Sequence, residues 1–205
     1  MMRRISWALA LGVAMVGAAT VAATPPQSDG SITGTVKVTG QPSNADVVVY
    51  VEHAAGVFKP AATPAVMDQK NMKFIPHVLP VVVGTTVKFT NSDTVAHNVF
   101  SPDHDKYNLG TFGPGLSKDH AFAKCATFPC AYVQLCMIHP EMEGFIVVVQ
   151  NPYVATTNDA GQFTIQGVPA GQYQVAVWHP KSKAPAKAVT VVAGKAATVD
   201  FTLGK

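Results

Sequence analysis

Cys136-Met137-Ile138-His139-Pro140-Glu141-Met142 is the stretch that decides how this chain is read. It sets a thiol, an imidazole and a thioether three residues apart. A tight loop over these residues would bring one soft, one borderline and one weak soft donor to a single ion. Thiolate and thioether suit Cu(I), imidazole suits both copper oxidation states, and a trigonal His, His, Cys set with a long axial Met serves one-electron copper chemistry. Such a set needs a second histidine from upstream. The candidate is His97, in Thr86-Val87-Lys88-Phe89-Thr90-Asn91-Ser92-Asp93-Thr94-Val95-Ala96-His97-Asn98-Val99-Phe100-Ser101, where an apolar strand precedes the histidine.

Taken together, Gly84 to Asn91, His97-Asn98-Val99 and Cys136-x-x-His139-x-x-Met142 resemble the plastocyanin, pseudoazurin and amicyanin group of cupredoxins, over residues 65 to 150. The short loop spacing is most similar to the amicyanin form. The resemblance implies a Greek-key β-sandwich and a type 1 copper, cycling between Cu2+ and Cu+, held by His97, Cys136 and His139 with Met142 axial. It also implies that the Asn98 side chain bridges from the His97 strand to the ligand loop. Pro140 stiffens that loop by restricting its own backbone and that of His139. His139 is then the electron exit, and Met137, Ile138 and Pro140 form an apolar partner patch with Glu141 and Glu143 at its rim.

The flanking segments carry period-two alternation, the mark of strands with one wet face. Ile32, Val36 and Val38 alternate with polar residues before a turn at Gly40 to Asn44 and an apolar run from Val47 to Val51, which reads as a hairpin. Residues 53 to 64 read as a linker or crossover. Around the expected ligands, 101 to 119 read as surface loops about Phe112, Tyr132 to Leu135 as the strand delivering Cys136, and Phe145 to Val149 as a heavily buried strand. Pro76 and Pro80 confine their strand to an edge.

The run Asp159-Ala160-Gly161-Gln162-Phe163 followed by Val168-Pro169-Ala170-Gly171-Gln172-Tyr173 resembles the carboxypeptidase regulatory-like, or transthyretin-like, β-sandwich. The resemblance places the first hairpin of that sandwich in residues 30 to 55 and the remainder in 152 to 205. The expected architecture is therefore all-β, a cupredoxin sandwich inserted in or packed beside a second small sandwich. The layout is similar to periplasmic plastocyanin-like proteins described as methylamine utilisation proteins. Trp178 and Tyr173 read as sandwich packing. No helical period persists.

Arg3 and Arg4 before an apolar run to about Val16, then small residues to Ala23, read as a secretory signal over residues 1 to 23 and predict a periplasmic or secreted protein. The rival reading of that run is an uncleaved membrane anchor; no second apolar run follows, so no transmembrane segment is expected after the signal is removed. Lys and Arg number 15 against 12 acids, and taking away the two leader arginines leaves near-neutrality. Nucleic acid is excluded as a partner on that ground, because phosphate binding needs a concentrated basic surface. With Cys136 assigned to metal, Cys125 and Cys130 are an even pair in an oxidising compartment and favour a disulfide, a departure from the close cupredoxins. The rival is a second metal site made with His104 or His120. Beyond these, His53, His77, His104, His120 and His179 read as loop or strand-end histidines.

The functional expectation is a blue-copper carrier passing one electron between redox proteins such as a c-type cytochrome, an oxidase or a dehydrogenase. Two other readings compete: a copper-binding or delivery protein that does not cycle its ion, and an envelope binding module with the cupredoxin unit accessory. Catalysis on an organic substrate is not expected, because no credible nucleophile and base pair is present and four ligands leave copper no open position. Delivery is disfavoured by the lack of methionine-rich or histidine-rich tracts.

Overall fold

The computed structural model describes residues 29–204; the expected signal segment lies outside them. The chain is all-β, and among the described residues none is helical. The strands run β1 (Gly30–Val38), β2 (Val48–Val51), β3 (Ala65–Lys70), β4 (Lys73–Ile75), β5 (Val78–Val82), β6 (Thr86–Asn91), β7 (His97–Ser101), β8 (Tyr107–Phe112) and β9 (Ser117–Ala121). They continue with β10 (Cys130–Leu135), β11 (Glu143–Val149), β12 (Val154–Thr156), β13 (Gln162–Val168), β14 (Gly171–Trp178), β15 (Lys187–Val191), β16 (Ala196–Thr198) and β17 (Phe201–Leu203).

Four sheets form. The first is β13-β1-β16 with β17 also on β1; the second is β12-β2-β14-β15; the third is β5-β11-β10-β7-β8; the fourth is β4-β3-β6-β9. Three apolar cores lie between them in series. Ile32, Val36 and Val38 of β1 meet Val49 and Val51 of β2 between the first and second sheets. Val48 and Tyr50 of β2 meet Phe145, Val147 and Val149 of β11 between the second and third. Ile146 and Val148 of β11 meet Met67, Val87 and Phe89 between the third and fourth.

This stacking explains the two runs in which alternation fails. β2 is buried at every position, and β11 at all but its first residue, because each has a core on both faces. Each Val or Phe so buried contributes about 1.5–3 kcal/mol relative to an exposed one.

The expected hairpin over residues 30 to 55 does not form. β1 pairs with β13, β16 and β17, whereas β2 pairs with β12 and β14, so the two lie in facing sheets. The reason is apolar: Val47, Val49 and Val51 bury against β1 face to face, which a hairpin within one sheet would forbid. Between β16 and β17 the chain passes so close to β1 that a Cβ at Gly34 would stand 1.8 Å from the Val199 carbonyl oxygen, so only glycine fits.

Residues 101 to 119 are also more ordered than surface loops. They hold β8 and β9, the outer strands of the third and fourth sheets. Their polar side chains and glycines hid them, since an edge strand with one wet face needs few apolar residues. Pro80 does sit on an edge strand, β5, which among the described residues pairs only with β11. Among the described residues no helix is long and apolar enough to cross a membrane.

Candidate metal centre

β7 and β10 run antiparallel as neighbours in the third sheet, and the loop from Cys136 to Met142 joins β10 to β11. His97 and Val99 point inward from β7, and Cys130, Tyr132, Gln134 and Cys136 share the inward face of β10. The period of two thus aims the first histidine and the cysteine into the same core from adjacent strands. His97 is fully buried and Cys136 is 3 % exposed.

The donors converge. Nδ1 of His97 lies 3.0 Å from Nδ1 of His139, Sγ of Cys136 lies 3.9 Å from the same His139 atom, and one donor atom from each of the three residues falls within 4.8 Å of the others. The fourth expected ligand, Met142, is 1 % exposed and belongs to the same apolar core as Cys136. Its N–H donates to the His139 carbonyl at 3.0 Å, closing a four-residue turn. Pro140 takes the second position of that turn, where its fixed φ is already correct. Just beyond, a Cβ at Gly144 would stand 2.8 Å from Cβ of Phe74, so glycine lets β11 start hard against β4.

A residue that the sequence reading passed over fixes the tautomer of His97. Its Nε2 lies 3.0 Å from Oδ2 of Asp93. A carboxylate only accepts, so Nε2 carries the proton and Nδ1 presents a bare lone pair toward His139. Asp93 is itself fixed, accepting from the N–H of Met72 at 2.9 Å and of Thr94 at 2.8 Å. Those two N–H groups, and then His97, hold its carboxyl down to about 2. Asn91 shapes the loop that carries it, donating to the carbonyls of Val95 and Phe112 and accepting from the N–H of Asp93. The signal available in the sequence was an acid four residues before a candidate ligand.

Asn98 departs from its expected role. Its backbone N–H donates to Sγ of Cys136 at 3.4 Å, tying the β7 backbone to the sulfur. Its side chain does not reach the ligand loop but donates to Oδ1 of Asn108 at 2.9 Å, and Nδ2 of Asn108 lies 3.5 Å from Sδ of Met137. The cause is the strand period: Asn98 faces away from His97, toward β8. The loop is therefore reached through Asn108.

Cys125 and Cys130 form a disulfide. Met137 and Ile138 are 66 % and 46 % exposed, and Pro140 is exposed. Of the other histidines, His53, His77, His104 and His179 lie in connections between strands, but His120 sits within β9, paired with Val87.

The three converged donors are two imidazole nitrogens and a sulfur, with a thioether in the same core, and that chemistry fits copper in either oxidation state. Residues 141–204 match the family model for the carboxypeptidase regulatory-like domain. That match reaches back through β11, a strand shared by two of the cores. Comparison with curated proteins found no match. Among solved structures, a purple cupredoxin from Nitrosopumilus maritimus is 27 % identical with a TM-score of 0.36, covering 41 % of this chain and 98 % of that one. A Cu-containing nitrite reductase from Thermus scotoductus is 29 % identical with a TM-score of 0.39, covering 47 % of this chain and 25 % of that one. A reduced amicyanin variant is 23 % identical with a TM-score of 0.38, covering 50 % of this chain and 98 % of that one. The chain is an all-β protein whose residues 141–204 match the carboxypeptidase regulatory-like domain.

Proposed function

We propose that this protein is an exported blue-copper electron carrier. The observation that carries the reading is the convergence of His97, Cys136 and His139 within 4.8 Å, delivered by β7 and by the loop between β10 and β11. A copper ion held there supplies a one-electron couple.

The chain's own residues do the rest. Asp93 fixes the His97 tautomer, the Asn98 N–H donates to the Cys136 sulfur and holds it in place, and the turn through Pro140 sets His139 against Cys136. Because the cluster is tied to packed strands, its ligands have little freedom to rearrange when the charge at the site changes. That keeps reorganisation small.

Partners would be redox proteins such as a c-type cytochrome, an oxidase or a dehydrogenase. Their docking face is the exposed surface of Met137, Ile138 and Pro140, widened at the same end of the unit by Val95 and Leu116, which are 43 % and 59 % exposed. Export to the periplasm or outside the cell follows from the leader-like N-terminus and agrees with the Cys125–Cys130 disulfide.

The test is the visible absorption and electron paramagnetic resonance spectrum of copper-reconstituted protein, with Cys136→Ser as control. A strong thiolate-to-copper band with narrow hyperfine splitting, both lost in the variant, is the expected result. A colourless protein with an ordinary Cu(II) spectrum overturns the proposal.

A further inference from the structure

At the far end of β7 and β10 from the candidate ligands, a second group of polar atoms meets inside the third and fourth sheets. Asp105 comes from the β7–β8 connection, His120 from β9, Tyr132 from β10, and the carbonyl of Lys124 from the segment after β9. Nε2 of His120 and Oδ2 of Asp105 are 3.3 Å apart, with side chains only 17 % and 12 % exposed. They are close enough for an ion pair but not aligned for a hydrogen bond.

Among the described residues, Nε2 of His120 and Oδ1 of Asp105, both shut off from solvent, have no hydrogen-bond partner. Buried polar atoms are almost always satisfied, and an unpartnered carboxylate oxygen is among the costliest exceptions. The fully buried Tyr132 donates its hydroxyl to the Lys124 carbonyl at 2.7 Å and also faces Asp105.

The imidazole is held in place from both sides. The Tyr107 ring stacks on it at 3.7 Å with the planes 20° apart, and the Phe122 edge lies 4.9 Å away. Burial pushes His120 below its ordinary value, which favours the neutral imidazole beside the Asp105 carboxylate. A water molecule would satisfy the hydrogen bonds but leave that charge uncompensated.

We propose that Asp105, His120, Tyr132 and the Lys124 carbonyl form a second, copper-independent cation site, selective for a divalent ion that takes nitrogen and oxygen donors, zinc foremost. Two donors about 3.3 Å apart span one edge of a tetrahedron whose centre is about 2.0–2.1 Å from each, the length of zinc bonds to imidazole and carboxylate. The site holds no thiolate or thioether, so it does not favour Cu(I). Tyr132, held up at about 12 by burial, serves as a neutral oxygen donor. The exposed Lys124 ammonium opposes an incoming cation.

Zinc is titrated calorimetrically into metal-free protein carrying Cys136→Ser and His139→Gln with the disulfide intact, and retained zinc is counted after dialysis. One equivalent is expected to bind. Adding Asp105→Asn or His120→Gln weakens it at least tenfold, Lys124→Gln tightens it, and zinc shifts the His120 ring resonances in the protein with an unaltered pocket. No retained zinc, retention undiminished by both pocket variants, or unshifted His120 resonances would overturn the site. The copper spectrum of the unaltered protein is read separately, so either proposal can fail without the other.

Discussion

Asp93 makes the sharpest demand on the candidate centre, because its two oxygens accept three hydrogen bonds, and substitutions separate them. Oδ2 takes the Met72 N–H and the His97 Nε2–H, while Oδ1 takes the Thr94 N–H. In Asp93→Asn the amide oxygen is expected to face the side with two donors, leaving the NH2 against Thr94. His97 then keeps its tautomer but trades a charge-assisted bond for a neutral one about half as strong. Loss of an outer carboxylate on a metal-bound histidine costs about 10- to 100-fold in affinity, so this variant belongs near tenfold. Asp93→Leu removes every acceptor and lets His97 carry its proton on Nδ1, where the metal must bind; about 100-fold is expected.

Competition against a Cu(I) chelator of known affinity measures both variants. Nitrogen resonances of the imidazole in metal-free protein report the tautomer independently. If both variants bind copper within twofold of the parent, and His97 in Asp93→Leu still carries its proton on Nε2, the account of Asp93 is wrong.

Three further outcomes follow from the packing. Val147→Ala, in the core shared by the second and third sheets, should lower stability by about 1–3 kcal/mol through lost burial and a residual cavity, seen as one urea transition moving as a whole; two transitions with only one displaced would show that the sandwiches unfold independently. Breaking the disulfide with Cys125→Ser and Cys130→Ser should cost about 2 kcal/mol, as chain entropy predicts for so short a closed loop, and a variant whose unfolding midpoint equals that of the oxidised parent would contradict that. The hydrogen bond to Asp46 at 3.0 Å raises His77 above its usual value, so the pair stabilises the fold fully below pH 6.5 and loses its effect as pH rises through the raised value. Both side chains are more than 40 % exposed, which keeps the effect to about 0.2–1 kcal/mol; a stability difference from His77→Gln that is no larger at pH 5.5 than at pH 8.5 would refute it.

The residues that converge on the candidate site were legible because together they resemble a known ligand pattern: Cys136, His139 and Met142 sit three apart, and His97-Asn98-Val99 follows an apolar strand. What supports them was less so. Asp93 and Asn108 act through backbone geometry, an acid held by two amides and an amide reached from the wrong face of β7, and neither leaves a pattern in composition. Alternation announced the strands of the outer sheet, such as Phe163 and Ile165, since one face there is wet. It could not pair them. The run Val47 to Val51 looked like half of a hairpin, yet its burial on both faces reflects a third layer contributed by β11, almost 100 residues later in the chain.

The pairing of β1 and β2 with strands that follow β11 in the chain fixes an order of events during biosynthesis. Ile32 of β1 pairs with Ile165 of β13, 133 residues on (165 minus 32). At roughly 5–20 residues per second of synthesis, the first two strands wait several seconds or more for partners. Meanwhile residues 65–150 can assemble their own sheets, but with the β11 face that β2 and β14 later cover still bare. The earliest segment to be made is thus among the last to find its place. A nascent chain of this design needs a holding factor, or a passage across the membrane unfolded, more than a protein built from consecutive domains would.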